Sequence, residues 1–143
     1  MVNGTEALHG VRVLLVDNDD DSRELYSYVL RTAGADVSCC ASASEGFAAF
    51  ETMRPHVVVA DLGRPDDVGG ASLVEWIRTR AFEDGGETPA IAITGYARMQ
   101  DRARAISAGF DQCLAKPVTP REVLGVVARY VRSETVRPER HRE

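Results

Sequence analysis

Short apolar runs recur along the chain and give the first indication of its fold. Residues 11–16, 35–40, 56–60, 89–93 and 110–115 form five such runs. The first and the third are rich in valine and almost free of polar residues, which is typical of strands covered on both faces. We therefore predict five strands in a sheet that is buried between two layers.

Between these runs, apolar residues recur at intervals of three and four, which is the spacing of one face of a helix. The groups are Leu25, Tyr28, Val29 and Ala33; Ala43, Phe47 and Phe50; Leu73, Trp76 and Ile77; and Val123, Leu124, Val127, Ala128 and Val131. Strands that alternate with helices over short connections favour right-handed crossovers in a parallel sheet. The predicted fold is α/β, a doubly wound five-stranded parallel sheet of order 2-1-3-4-5 with the flavodoxin-like (βα)5 chain order.

Local signals at three helix ends agree with this reading. Ser42 and Glu45 form a capping box before the second helix, and Gly34 follows the first helix where a left-handed residue is favoured. Thr119 and Glu122, with a proline after the threonine, mark the start of the last helix. The predicted helices therefore have defined starts and stops.

The bulk composition limits the class of protein. The 143 residues, 44% of them hydrophobic, suffice for one domain, which we expect over residues 11–132, between a flexible segment at 1–10 and a flexible tail at 133–143. No apolar run approaches the about 20 residues that span a bilayer, and no signal peptide is recognisable, which favours a cytoplasmic protein. The net charge of −5 argues against nucleic acid or an anionic membrane as partner. Cys39, Cys40 and Cys113 lack the spacing of a zinc site or a disulfide framework.

Polar side chains follow four of the predicted strands directly. The first strand ends in Asp17 and Asn18, the third in Asp61, the fourth in Thr94 and the fifth in Lys116. Because ligands of such sheets bind beyond the carboxyl ends of the strands, we expect these side chains to converge on one site. Neighbouring carboxylates repel each other unless a hard cation separates them, and Mg²⁺ takes oxygen ligands of this kind.

Phosphoryl transfer fits this set of side chains. A carboxylate beside a metal can attack phosphorus and form an acyl phosphate, and Asp61 is the best-placed nucleophile. The transferred group spreads negative charge over its oxygens, so a metal, a cation and a hydrogen-bond donor must be in place beforehand. Mg²⁺, Lys116 and the Thr94 hydroxyl would fill these three roles.

Four stretches carry a resemblance to a known family: VRVLLVDNDDDSRE, VVVADLGRP, PAIAITGYAR and AGFDQCLAKPVTP. In this order they resemble the receiver domain of bacterial two-component response regulators, over about residues 11–132. The resemblance implies a stand-alone, chemotaxis-regulator-like module of a phosphorelay, which accepts a phosphoryl group on Asp61 from a histidine kinase or a phosphotransfer protein. Such a module is a phosphoacceptor signalling protein that catalyses only its own phosphotransfer and dephosphorylation, and it acts on a downstream protein through a conformational change.

The same resemblance implies further details of the site. The metal ligands would be Asp17, Asn18, Asp61 and the Gly63 carbonyl, with Mg²⁺ as the cofactor. The peptide bond between Lys116 and the proline that follows it would be cis, a geometry that is rare outside X-Pro bonds.

Several residues depart from the family pattern. Asn18 stands where a second acidic ligand is usual, so we expect weaker Mg²⁺ binding, offset in part if Asp19 or Asp20 lies close enough to help. Cys113 replaces the switch aromatic three residues before the lysine, and Tyr96 is a candidate to replace its coupling. The loop at residues 66–70 is one residue longer than usual, and residue 64 is an arginine where methionine is common.

Two other functions remain open from the residues. The chain could be a degenerate receiver that serves as a phosphorylation-independent interaction module, because of Asn18 and Cys113. A hydrolase of the haloacid dehalogenase type has the same Asp-x-Asp form after a strand, but Asp21 occupies the place of its Thr or Val and the chain lacks room for a cap domain. The sequence leaves open whether the fourth helix, fifth strand and fifth helix form a homodimer face.

Overall fold

The computed structural model describes residues 7–63, 69–95 and 99–134. The strands are β1 (Arg12–Val16), β2 (Asp36–Cys40), β3 (Val57–Asp61), β4 (Ala90–Thr94) and β5 (Gln112–Ala115). The α-helices are α1 (Asp20–Thr32), α2 (Ala43–Met53), α3 (Gly70–Arg78), α4 (Met99–Ala108) and α5 (Pro120–Glu134), and a 3₁₀ turn lies at Phe82–Asp84.

The five strands form one parallel sheet in the order β2-β1-β3-β4-β5, which confirms the predicted topology. Successive residues of a strand point to opposite faces. Val13 and Leu15 accordingly belong to a core that α1 and α5 cover, whereas Leu14 and Val16 belong to a second core under α2, α3 and α4. The valine-rich runs are thus buried on both faces because helices cover both sides of the sheet.

The predicted capping signals operate in the structure. The Ser42 hydroxyl accepts a hydrogen bond from the Glu45 amide, and the Thr119 hydroxyl accepts one from the Glu122 amide. The Glu122 carboxylate returns a bond to the Thr119 amide, which completes that capping box. Gly34 follows α1 with a φ of 102°, a left-handed conformation that glycine adopts at little cost.

The packed body begins before the first strand. Leu8 lies in the segment for which we expect a flexible end, yet its side chain is fully buried and its amide donates to the Ala33 carbonyl. Apolar burial of this kind holds the described residues 7–10 against the core, which differs from our expectation for that part of the segment. At the other end, α5 extends to Glu134, two residues past the expected boundary, and the rest of the expected tail lies outside the described residues.

None of the helices in the described ranges combines the length and the apolar composition that crossing a bilayer requires.

Candidate functional site

The carboxyl edge of the sheet brings the predicted site residues together. Asp61 is the last residue of β3 and lies beside Ile93 of β4, one residue before Thr94. Thr94 in turn lies beside Ala115 of β5, and its carbonyl accepts a hydrogen bond from the Lys116 amide. Strand register alone therefore places the aspartate, the threonine and the lysine at one edge, as the sequence predicts.

The centre of this edge is a pair of carboxylates that share one ammonium group. The Lys116 Nζ atom lies 3.2 Å from Oδ2 of Asp61 and 3.7 Å from Oδ2 of Asp17. The peptide bond that follows Lys116 is cis, as the resemblance implies. The geometry thus gathers residues from β1, β3 and the end of β5 into one charged cluster.

Burial and charge act against each other within this cluster. Burial raises the pKa of Asp17, and the hydrogen bond from the Asp19 amide and the Lys116 charge oppose that rise only in part. Burial alone would lower the pKa of Lys116, but the charges of Asp61 and Asp17 outweigh it and the net shift is upward. Lys116 therefore stays an ammonium. The ionised form of Asp17 is less stable relative to its protonated form than it would be in water.

The two carboxylates differ in access to solvent. The Asp61 side chain is 23% exposed, whereas that of Asp17 is 2% exposed. The Gly63 amide donates to Oδ1 of Asp61 at 2.9 Å, which orients the carboxylate while one edge stays reachable. Of the pair, Asp61 is the carboxylate that is accessible from solvent.

Two acidic residues at the start of α1 make contacts with the first turn of that helix. Oδ2 of Asp19 accepts from the Ser22 amide and caps α1, and Asp20 pairs with Arg23 at 2.6 Å. Both carboxylates thus have local partners, and the Asp19 charge still acts on Asp17 and Lys116, so the expectation that they help to bind a metal stays a prediction. Asn18 is exposed between them and Asp17.

The donor set fits a hard divalent cation, with few charged ligands. Among the described residues, no three side chains of His, Cys, Asp or Glu lie close enough together to hold a metal. Asp17 and Asp61 supply carboxylate oxygens, and further oxygens would come from Asn18, the Gly63 carbonyl and water, a mixture that Mg²⁺ accepts. The burial-raised pKa of Asp17 agrees with this fit, because a cation would stabilise its ionised form.

Sequence reasoning missed a contact between α4 and the site. The guanidinium of Arg104 donates a hydrogen bond to the Gly63 carbonyl, which is one of the predicted metal ligands. The spacing in α4 could have drawn attention to Arg104. It lies three residues after Asp101 and four before Ala108, both on the buried face of the helix. A charged residue beside a buried helical stripe usually has a specific partner.

Two other expectations concern the coupling residues. Cys113 is half-buried and packs against the core under α2, α3 and α4, as a small core residue would. Burial raises the pKa of its thiol, so the thiol form prevails. Tyr96, Arg64 and most of the loop at residues 66–70 lie outside the described residues.

Residues 13–128 match the response regulator receiver domain family. The protein belongs to this family. A relative of this receiver domain, the uncharacterized 14.6 kDa protein in the sodA1 3′ region of Leptolyngbya boryana, is 36% identical over 125 residues, which cover 87% of this chain and 93% of that protein. Further curated relatives, several of them named as transcriptional regulators, are 28% to 32% identical to the chain. The chain spans only 20% to 53% of their length.

Solved structures of receiver domains superpose on the chain. The CheY-like receiver domain protein from Methanospirillum hungatei has a TM-score of 0.78 at 26% identity, over 90% of this chain and 98% of that one. The receiver domain of the sensor histidine kinase PA1611 from Pseudomonas aeruginosa, with a magnesium ion in its active site cleft, has a TM-score of 0.76 at 28% identity, over 87% of this chain and 99% of that one.

Proposed function

We propose that this receiver domain accepts a phosphoryl group on Asp61. The observation that carries the proposal is the contrast within the carboxylate pair, because both lie near the Lys116 ammonium but only Asp61 is open to solvent. A buried carboxylate such as Asp17 suits the role of a fixed negative charge, and an accessible one suits that of a nucleophile.

The other residues of the edge suit the stabilisation of the transferred group. The Lys116 ammonium lies where it can neutralise a phosphoryl oxygen once that group is bonded to Asp61. Thr94, buried at the end of β4, is proposed to donate its hydroxyl to a second oxygen. Mg²⁺ held by Asp17, Asn18, Asp61 and the Gly63 carbonyl would supply further charge stabilisation when it is bound.

The donor is proposed to be a phosphohistidine of a histidine kinase or a phosphotransfer protein. An Asp61 oxygen attacks phosphorus, the P–N bond to the donor imidazole breaks, and that imidazole leaves while the aspartyl phosphate forms. The output is a shape change read by a downstream protein. Several relatives are named as DNA-binding or transcriptional regulators, but the net charge of −5 supports a protein rather than nucleic acid as the direct partner of this chain.

Phosphoryl uptake can be measured with a small acyl phosphate and Mg²⁺ by intact-protein mass spectrometry. We expect one added phosphoryl group in the wild type and none in Asp61→Asn. Asp84→Asn, which removes an exposed carboxylate from the 3₁₀ turn, is the matched control and should be modified as the wild type is. No mass gain in the wild type with either an acyl phosphate or a phosphoramidate donor would contradict the proposal.

A degenerate receiver remains the second candidate, and one observation favours it. Asn18 supplies no charge, and the Asp19 and Asp20 carboxylates each have a partner on α1, the Ser22 amide and Arg23 respectively, so both are less available to replace the missing ligand. Under this candidate the wild type gains no phosphoryl group at millimolar Mg²⁺, whereas Asn18→Asp binds Mg²⁺ more tightly and is modified. Equal modification of wild type and Asn18→Asp would exclude it.

A further inference from the structure

Gly63 is held by two groups that belong to different parts of the fold. The Gly63 amide donates to the Asp61 carboxylate at the end of β3, and the φ of Gly63 is 83°. The Gly63 carbonyl oxygen accepts from the guanidinium of Arg104, which is 41 residues further along the chain on α4. A helix that forms one side of the molecule is thereby bonded to a predicted ligand of the site.

The Arg104 side chain is largely shielded from solvent. It is 24% exposed, and its weaker ion pair to Asp101 spans 3.9 Å. Its Nε atom is buried, and no described residue accepts a hydrogen bond from it. Since arginine remains charged at any physiological pH, a permanent positive charge lies next to the oxygen that a cation would need.

We propose that Arg104 is a positioning residue that opposes divalent cation binding at the Gly63 carbonyl and links α4 to the charge of the site. A carbonyl oxygen has two lone pairs, so the guanidinium and a cation can share it, but their positive charges repel each other. A cation in the site therefore weakens the bond from α4, whereas a phosphoryl group on Asp61 adds negative charge that strengthens the hold on Arg104.

This role would connect the site to α4 by a route that does not need the switch aromatic. Cys113 occupies the position of the switch aromatic, and its side chain is too short to swing between two positions as an aromatic ring does. Arg104 instead spans from α4 to the end of β3. The inference rests on the proposed function only in taking the Gly63 carbonyl as a cation ligand.

The test is a calorimetric titration of the full chain with MgCl₂, without any phosphodonor. Arg104→Met keeps an apolar side chain of similar length but removes the charge, and Arg104→Gln keeps a donor without the charge. Both should bind Mg²⁺ about tenfold more tightly than the wild type, the scale of repulsion between a single and a double charge a few ångströms apart in a largely aqueous setting. Arg104→Lys keeps the charge and should bind as the wild type does.

Arg102→Met is the matched control, because Arg102 is an exposed arginine on the same helix. Unchanged or weaker Mg²⁺ binding in both neutral variants would overturn the inference, and so would equal tightening in Arg102→Met or in Arg104→Lys. Absence of measurable binding in all variants would overturn it as well, since removal of the charge should make binding detectable.

Amide hydrogen exchange of α4 provides the second readout. Mg²⁺ should speed exchange in α4 of the wild type and leave exchange in Arg104→Gln unchanged. No response of α4 in the wild type would overturn the link to that helix. Neither measurement involves phosphoryl transfer, so a chain that fails to take up phosphate but shows both results would disprove the proposed function and retain this inference.

Discussion

The two ends of the sheet handle charge in opposite ways. At the amino end, the Arg12 guanidinium donates to the carbonyls of Met53 and Arg54 at distances of 2.7–3.0 Å and so closes the last turn of α2. At the carboxyl end, Asp17 and Asp61 face a single ammonium group. The first arrangement satisfies main-chain acceptors with a cation, which stabilises the fold. The second keeps an excess of carboxylate, which suits the proposed binding of a cation and a phosphoryl group.

The largest effect is expected from the carboxyl end. Lys116→Met should slow phosphoryl uptake from an acyl phosphate by about a hundred- to a thousandfold, because it removes the fixed cation beside Asp61. The measurement is the time course of mass gain at saturating Mg²⁺. Arg121→Met removes an exposed cation near the start of α5 and serves as the control. A comparable loss in both variants would mean that net charge, rather than position, matters at this end.

A second variant at the same end should lower the free energy of unfolding. A Cβ atom on Gly70 would lie 2.2 Å from the Asp61 carbonyl oxygen, so Gly70→Ala must displace α3 or the end of β3. We expect a loss of about 2 kcal/mol in the free energy of unfolding. Gly125→Ala, where no heavy atom lies within 4 Å of the new Cβ, should instead gain about 0.5 kcal/mol.

Urea unfolding followed by Trp76 fluorescence measures both glycine variants. Trp76 packs against Phe47 and Phe50 with ring centroids 5.1 Å and 5.8 Å away, so its emission reports the loss of this core. Equal stability of Gly70→Ala and the wild type would show that the backbone contact at Asp61 is loose, contrary to the structure.

At the amino end, Arg12→Met should lower stability without lowering phosphoryl uptake. The lost bonds to the carbonyls of Met53 and Arg54 at the end of α2 are expected to cost about 1.5 kcal/mol, since only part of the arginine is shielded from water. Urea unfolding measures the loss, and the mass assay is run on the same sample. If folded Arg12→Met took up phosphoryl groups more slowly than the wild type, the amino end of the sheet would also affect the chemistry, which would contradict this comparison.

The smallest effect concerns pH at the amino end. Burial and the nearby Arg12 charge lower the pKa of His56, whose Nδ1 accepts a hydrogen bond from the Arg12 amide at 2.9 Å. The unfolded chain therefore takes up this proton first, and the contribution of His56 to stability is present above about pH 6.5 and is lost as pH falls through the lowered value.

His56→Asn keeps an acceptor and cannot be protonated, so its stability should fall less than that of the wild type between about pH 7.5 and about pH 5.5. His9→Gln, a change at an exposed histidine, should follow the wild type. Parallel curves for wild type and His56→Asn would show that other groups account for the pH dependence.

Much of the fold and the centre of the site could be predicted from sequence because they depend on local patterns. Valine-rich runs identified the central strands, and chain order with short crossovers led to the observed topology. Asp61 and Thr94 end their strands and Lys116 follows β5 directly, so parallel register alone brings them to one edge.

The parts that sequence could not predict depend on where long side chains reach. Arg104 contacts a carbonyl 41 residues away, and no spacing in the sequence encodes that partner. Asp19 could equally bind a metal or cap a helix, and only the position of the Ser22 amide shows that it caps α1. Leu8 precedes the first strand, and its side chain is buried because it packs into the core that α1 and α5 cover.

The burial of Leu8 has a practical consequence for shortened versions of the protein. A truncation that begins at the first strand would remove a fully enclosed leucine from the core that α1 and α5 cover. A cavity of that size lowers the free energy of unfolding by about 3 kcal/mol. Expression vectors designed around this domain should retain the turn at residues 7–10.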